Sequence, residues 1–249
     1  MARPAMEKNV SEFAAPLNYS SPLRENRSPS PERFFEQRIK QILRPGDHIL
    51  DAGCGRGKFF SLTFAKEMGC QITGVDASAG VVLNPNPDIR IRADLSKLPF
   101  ATETFNLVNC RLVVEHLKRP EIVFKEFHRV LKPGGRLAIF TPNLLHYFGA
   151  AARATPPWFH LWFNSRIRGF EAQDIFPTHY RANTRRRLKA LLVAAGFRRV
   201  EISLVEGAPS VLAFNSFLHG IGAAYKQVVD RFAFLAGFRL NIIAITYKA

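Results

Sequence analysis

Apolar positions along this chain repeat with two different periods, and the switches between them mark the elements. Phe34, Phe35, Ile39, Ile42 and Leu43 fall on one face at helical spacing. They follow Ser30-Pro31-Glu32, where Ser suits an N-cap, Pro the first helical position and Glu the positive helix end. A helix is therefore expected from residue 31 to near Pro45-Gly46. Short apolar runs predict strands over 48–51, 71–75, 89–92, 105–110 and 136–141. A helix through Met68 is expected after the first strand. Pro120 to Leu131 reads as an amphipathic helix stopped by Lys132-Pro133-Gly134-Gly135. Thr184 to Ala195 reads as a helix closed by Gly196, and 197–205 and 240–247 as late strands. Val211 to Phe238 reads as an amphipathic helix between them, whose Phe214, Phe217, Phe232, Phe234 and Phe238 belong to the core or extend an apolar pocket. Strand–helix alternation with short apolar strands predicts an α/β fold, a parallel sheet with helices on both faces.

Residues 1–30 are rich in Pro, Ser, Asn and Arg without periodicity and read as a flexible arm ahead of one domain over 31–249. With 249 residues, 47% hydrophobic and 22% charged, the chain has globular composition and length enough for a real core. Cys54, Cys70 and Cys110 include no C-x-x-C pair, which argues against a disulfide framework or a structural metal site. The first residues lack an apolar signal region, and no run approaches the ~20 apolar residues of a membrane span. A cytoplasmic setting is the expectation.

The segment Ile49-Leu50-Asp51-Ala52-Gly53-Cys54-Gly55-Arg56-Gly57 ends a strand with three glycines in five residues. Glycines at a strand end let backbone approach a ligand, and this sheet edge is the usual crevice of an open α/β fold. A dinucleotide fingerprint would need Gly or Ala at position 58, which is Lys58. The acid preceding the first glycine suits a cationic ligand end and would repel a pyrophosphate. Asp76, ending the second strand, can accept both hydroxyls of a ribose, and Asp94, after the third, an exocyclic adenine amine. The three acids fit S-adenosylmethionine piece by piece.

This arrangement resembles the class I S-adenosylmethionine-dependent methyltransferases. The resemblance runs through Asp76, Ala93-Asp94-Leu95, Leu98-Pro99-Phe100, Thr104-Phe105-Asn106-Leu107-Val108, Val114-Glu115-His116-Leu117, Arg129 to Gly135 and Thr141-Pro142-Asn143. It is dense over about residues 45–145 and looser in Leu188, Leu192 and Ala195-Gly196-Phe197. It is most similar to the small-molecule branch, with its quinone, sugar and lipid methyltransferases. The resemblance implies a Rossmann-like seven-stranded, mostly parallel sheet with an antiparallel last strand. It implies that Asp51, Gly53, Cys54 and Gly55 line the methionine part of the cofactor. Asp76 would hold the ribose, with Ala77 beside the adenine, Asp94 and Leu95 on the adenine, and Arg111 near the methionine end. Asn106 stands where the family commonly has Asp, at a position that is usually structural.

Methyl transfer is an in-line displacement that needs alignment, and a base where the acceptor is a hydroxyl. His146 and His116 rank first as base candidates and His179 third, each weighed against a structural or solvated role. The long segment over about 143–184 holds Pro156-Pro157-Trp158-Phe159-His160-Leu161-Trp162-Phe163, an acceptor cover or a satellite core.

The formal charge of +15 points to an anionic partner. It is densest over 143–209, with 10 basic and 4 acidic side chains, and sharpest at Arg185-Arg186-Arg187 with Lys189. A helix cluster of this kind reads first as a solvated face. Amino-directed nucleic-acid methyltransferases carry an Asn or Asp, two prolines and an aromatic after the fourth strand. Asn109-Cys110-Arg111-Leu112 departs from that pattern, so nucleic acid is disfavoured. A non-catalytic subunit of the same fold is the other alternative, and the retained acids argue against it. The favoured reading is transfer of a methyl group to an oxygen of a lipophilic or ring-bearing small molecule. Contact with an anionic lipid or a membrane periphery would account for the charge.

Overall fold

The computed structural model describes residues 30–57, 61–155, 176–209, 212 and 215–249. The arm over 1–29, the aromatic run Pro156–Phe163 and Phe214 lie outside the described residues. Helix α1 (Pro31–Ile42) begins as its sequence dictates: Ser30 Oγ accepts the Arg33 N–H at 3.3 Å and Pro31 takes the first turn. Phe35 and Ile39 are fully buried, and Phe35 packs on Phe140 of the sheet with ring centroids 5.4 Å apart.

Seven strands form one sheet: β1 (His48–Ala52), β2 (Gln71–Asp76), β3 (Ile89–Arg92), β4 (Phe105–Arg111), β5 (Leu131–Pro142), β6 (Phe197–Val205) and β7 (Asn241–Lys248). Their order is β3-β2-β1-β4-β5-β7-β6. Pairs from β3 to β5 are parallel, and β7 runs antiparallel to both β5 and β6. The antiparallel last strand expected from the resemblance is therefore present. Strands are added on one side of β1 up to β3 and then on its other side from β4, so the carboxyl ends of β1, β2 and β4 frame a crevice at this switch of order.

Helices cover both faces. Against one face, α1 packs with Ile49, Leu62, Ile72, Leu107 and Ile243. Against the other, Leu50, Val108 and Ile139 meet α3 (Pro120–Val130) and α5 (Arg185–Ala194) through Phe124, Phe127, Leu188 and Leu192. Strands buried on both faces explain why β1 and β4 read as apolar runs.

Four expectations need correction. The helix after the glycine turn is a single turn, α2 (Thr63–Lys66), with no side-chain cap, and residues 61 and 62 ahead of it are not helical. The fifth strand starts at Leu131, not Arg136. Leu131 pairs with Phe105, and the Pro133-Gly134-Gly135 stretch is absorbed as a register shift, with Gly134 at φ +70°. The segment after β6 divides into α6 (Ser216–Arg231) and a 3₁₀ turn over Ala233–Phe238. Its phenylalanines are not core: Phe217, Phe232, Phe234 and Phe238 are all exposed. Helix α6 turns its buried side, Gly222 and Val229, inward and leaves Phe217, Ile221 and Val228 outside. Finally, α4 (Tyr147–Ala154) opens the segment over 143–184.

Candidate active site

Strand β1 delivers Asp51 to the crevice, and its neighbour in register on β4 is Asn109. Adjacent parallel strands point paired side chains to one side, so the Asn109 Nδ2 donates to Asp51 Oδ1 at 2.6 Å. Desolvation pushes the Asp51 carboxyl up to about 6. The Asn109 hydrogen bond and the charge of Arg111 oppose the shift, and nearby Asp76 adds to it.

The chain then turns through Gly53, whose φ is +76° and whose N–H donates to Val75 O at 2.7 Å. A Cβ on Gly53 would lie 2.2 Å from Val113 Cγ2, so only glycine fits between the β1 and β4 ends. The Cys54 N–H also donates to Val75 O, and the Gly55 N–H donates to Asp76 Oδ2 at 2.8 Å. The other Asp76 oxygen accepts the Ser78 N–H at 2.8 Å. Asp76 thus stands at the carboxyl end of β2 with one oxygen on the glycine loop and the other on the turn that follows β2.

Asn84 was not foreseen from the sequence, and it holds this loop. It is buried, and its Nδ2 donates to the carbonyls of Cys54 and Gly55 at 3.0 and 3.2 Å. Asn86 Nδ2 donates to Gly57 O. The only sequence signal was an Asn-Pro-Asn-Pro stretch of turn residues.

On the β3 side, Ala77 is exposed and its carbonyl accepts the Arg92 Nε–H. Asp94 is exposed, with Oδ1 accepting the Ser96 N–H at 2.8 Å. Leu95 packs into the core with Leu98. The loop after Asp94 is fixed from α3: Glu126 accepts the Leu98 N–H, and Arg129 donates to the carbonyls of Leu98 and Phe100. Asn106 is structural here. Its Oδ1 accepts from the His48 N–H and the Lys132 ammonium, as a carboxylate would.

Arg111 ends β4 over the Phe140 ring at 5.4 Å and lowers the carboxyls of Asp51 and Glu115 electrostatically. Glu115 is buried, accepts the Thr141 hydroxyl at 2.9 Å, and has its carboxyl pushed upward by burial. Thr141 in turn accepts from Asn183 Nδ2 at 2.7 Å. The Glu115 carbonyl accepts the N–H groups of His179 and Tyr180. Leu112 and Tyr180, both beside this turn, hold φ near +50°.

The three histidines separate. His116 and His179 come together around Glu115: His116 Nδ1 is 2.9 Å from Pro177 O, and burial, Lys118, Arg181 and His116 lower the His179 pKa. His146 lies elsewhere. It is 1% exposed, caps α4 by accepting the Phe148 N–H, and packs against Tyr147 and Tyr225, with Glu206 Oε1 3.6 Å from Nε2.

These residues fit S-adenosylmethionine. Gly53 leaves an open backbone, and Asp51, Asp76 and Asp94 follow in strand order along one edge, where they would suit a cationic end, vicinal hydroxyls and an amine. Among the described residues there is no cluster of three or more His, Cys, Asp or Glu able to hold a metal ion.

Comparison with known proteins agrees. Residues 50–139 match the family described as "Methyltransferase domain". The chain is 30% identical over 197 residues to a malonyl-[acyl-carrier protein] O-methyltransferase of Methylococcus capsulatus, covering 74% of this chain and 65% of that protein. It is 32% identical over 122 residues to a ubiquinone biosynthesis O-methyltransferase of Coxiella burnetii, covering 45% of this chain and 49% of the relative. The chain thus spans less than two thirds of either relative's length. A solved S-adenosylmethionine-dependent methyltransferase from Archaeoglobus fulgidus superposes with a TM-score of 0.57 at 18% identity, over 88% of this chain and 95% of the other. Fold, glycine turn and family match converge: residues 50–139 are similar to the methyltransferase-domain family, and they sit on a fold shared with solved S-adenosylmethionine-dependent methyltransferases.

Proposed function

We propose that this chain transfers a methyl group from S-adenosylmethionine to an oxygen of a lipophilic or ring-bearing small molecule. The observation that carries the reading is the alignment of Asp51, the Gly53–Gly55 turn and Asp76 on neighbouring strand ends. The two relatives named for O-methylation support the accepting atom and the small-molecule class.

When bound, the cofactor supplies a methyl group on a positively charged sulfur. Asp51 holds the ammonium end, with Arg111 balancing the local charge. The amides of the glycine turn line the methionine portion. Asp76 orients the ribose, and Asp94 with Leu95 and Ala77 sets the adenine. The role of the fold is then alignment, which converts an encounter into an effectively unimolecular step. His116 and His179 are the favoured bases, because they gather where the chain over 176–184 returns to the crevice edge. His179 is kept neutral, as a proton acceptor must be. His146, sealed under aromatic rings, is a helix cap in this reading.

The domain spans 31–249, with the segment over about 143–184 shaping the acceptor side. No helix among the described residues is long and apolar enough to cross a membrane. Peripheral membrane contact is proposed instead from α6, where Phe217, Ile221 and Val228 form one exposed stripe that Phe232 extends. The deciding experiment incubates the full chain and tritiated S-adenosylmethionine with fractionated cell extract and identifies the labelled product. Label found only in nucleic acid or protein would overturn the small-molecule reading.

A further inference from the structure

The basic run that reads as a solvated helix face lines a groove. Arg185, Arg186 and Lys189 of α5 face Leu145 and Leu204 across about 480 Å³. The groove is lined from three further places: the connection after β5 through Leu145, the end of β6 through Leu204, and the 3₁₀ turn through Gly237. It opens on the same carboxyl edge of the sheet as the glycine turn. The join between β5 and α5 is fixed there, because Asn183 donates to Thr141 Oγ1 and to Pro142 O.

The charge arrangement is unfavourable for the chain alone. Helix α5 has no acid in its first turn and carries Arg185, Arg186 and Arg187 there. Cations at the positive end of a helix oppose its dipole, by about 0.3–1 kcal/mol each. Arg185 and Lys189 are four residues apart, a like-charge pair on one face that costs a few tenths more, roughly. Among the described residues no carboxylate pairs with Arg185, Arg186 or Lys189. Glu206, at the end of β6, is buried and already accepts the N–H groups of Gly207 and Leu240. Three cations with no acid partner among the described residues, gathered in a concave surface, suit an anion from outside.

We propose that this groove binds a phosphate-ester end of the methyl acceptor, a proposal that rests on the methyltransferase reading above. Two guanidinium forks and an ammonium match the several acceptor oxygens and double charge of a phosphate better than a single carboxylate. The sheet order sets a length. The crevice ends at β4, and the groove lies over β5, β7 and β6. At the usual strand spacing the phosphate and the methylated atom are on the order of 10 Å apart. The acceptor is therefore extended, with its phosphate remote from the reacting atom. Phe234 and Phe238, flanking Gly237, are exposed and give the adjoining surface an apolar character. The phosphate comes either from a soluble ester or from a lipid headgroup.

The test titrates the full chain with inorganic pyrophosphate and, separately, with S-adenosylhomocysteine. It compares wild type, the triple variant R185Q/R186Q/K189Q and a control, R198Q/R199Q, on the exposed face of β6. The expected result is pyrophosphate binding that weakens about tenfold or more in the triple variant alone, with S-adenosylhomocysteine affinity unchanged throughout. Flotation with phosphatidylcholine vesicles containing phosphatidic acid, lost in the triple variant, assigns the phosphate to a lipid headgroup. Pyrophosphate binding without flotation assigns it to a soluble ester. Equal weakening in the control, or neither pyrophosphate nor vesicle binding by a chain that binds S-adenosylhomocysteine, overturns the groove. A wild-type chain blind to S-adenosylhomocysteine removes the methyltransferase reading itself.

Discussion

Asp76 accepts the Gly55 N–H at 2.8 Å, so a single carboxylate ties the glycine turn of β1 to the end of β2. On the proposed reading the same carboxylate accepts two ribose hydroxyls. Asp76→Ala is expected to weaken S-adenosylhomocysteine binding about 100-fold, the loss of roughly 3 kcal/mol of charge-assisted hydrogen bonding. Asp76→Asn, which keeps one acceptor oxygen, should lose less. Calorimetric titration reads both, and wild-type affinity in Asp76→Ala would refute the ribose assignment.

The raised carboxyl of Asp51 makes two pH effects of opposite direction. Its folded pKa of about 6 exceeds the unfolded value of 3.8, so between these the folded state holds more protons. Stability contributed by the protonated form is present at low pH and is lost as pH rises through about 6. It amounts to roughly 3 kcal/mol at most, less for the partial exposure of the group. Cofactor affinity moves the other way, because the ammonium needs the ionised form. S-adenosylhomocysteine binding should weaken by up to about tenfold per unit below pH 6. In Asp51→Asn both dependences should flatten, and urea titrations and calorimetry from pH 4 to 8 (about two units either side of 6) show whether they do.

Gly53 and Val113 occupy one space. Gly53→Ala adds left-handed strain of roughly 1–2 kcal/mol and a clash of about 1–3 kcal/mol more. The clash, unlike the strain, should disappear in a Val113→Ala background. A double-mutant cycle in urea then gives a coupling of about 1–3 kcal/mol. Additive costs would mean that the contact is not what excludes a side chain there.

The histidines should divide by measurement as they do by position. His146→Ala should lower stability by about 1–2 kcal/mol through loss of a cap, and leave S-adenosylhomocysteine affinity alone. His116→Ala and His179→Ala should leave stability and cofactor affinity nearly intact and lower turnover, about 100-fold for whichever acts as base. Full turnover in both variants would show that neither does.

The sheet was legible because strands buried on both faces must be apolar and short, and Ser30, Pro120 and Gly196 punctuate their helices by local chemistry. Asp51 and Asp76 were legible for a related reason: each ends a short, largely apolar strand, whereas Asp94 follows the alternating Ile89-Arg90-Ile91-Arg92. Asn84 and Asn109 were not. Their role depends on which strands become neighbours, and nothing in their local spacing reports that. The burial of His146 beside Tyr147 and Tyr225 was not legible either, because chain position after a strand says nothing about what packs over it. Phe217 of α6 and Phe232, Phe234 and Phe238 after it misled because composition cannot tell which face of an element is turned outward. The basic run of α5 read as ordinary surface until β5, β6 and the 3₁₀ turn closed around it.

The segment between β5 and α5 has its feet together. The Leu144 N–H donates to Asn183 O at 2.8 Å, so the chain leaves and re-enters the sheet edge at one point. His179 and Tyr180 add a second attachment on Glu115. A loop whose base is already closed tolerates changes of length, and doubling it costs only about 0.6 kcal/mol. On the proposed reading this segment is where selection would rewrite the chain for a new acceptor while the cofactor end stays fixed, and a graft from a relative can be judged by cofactor binding before any acceptor is known.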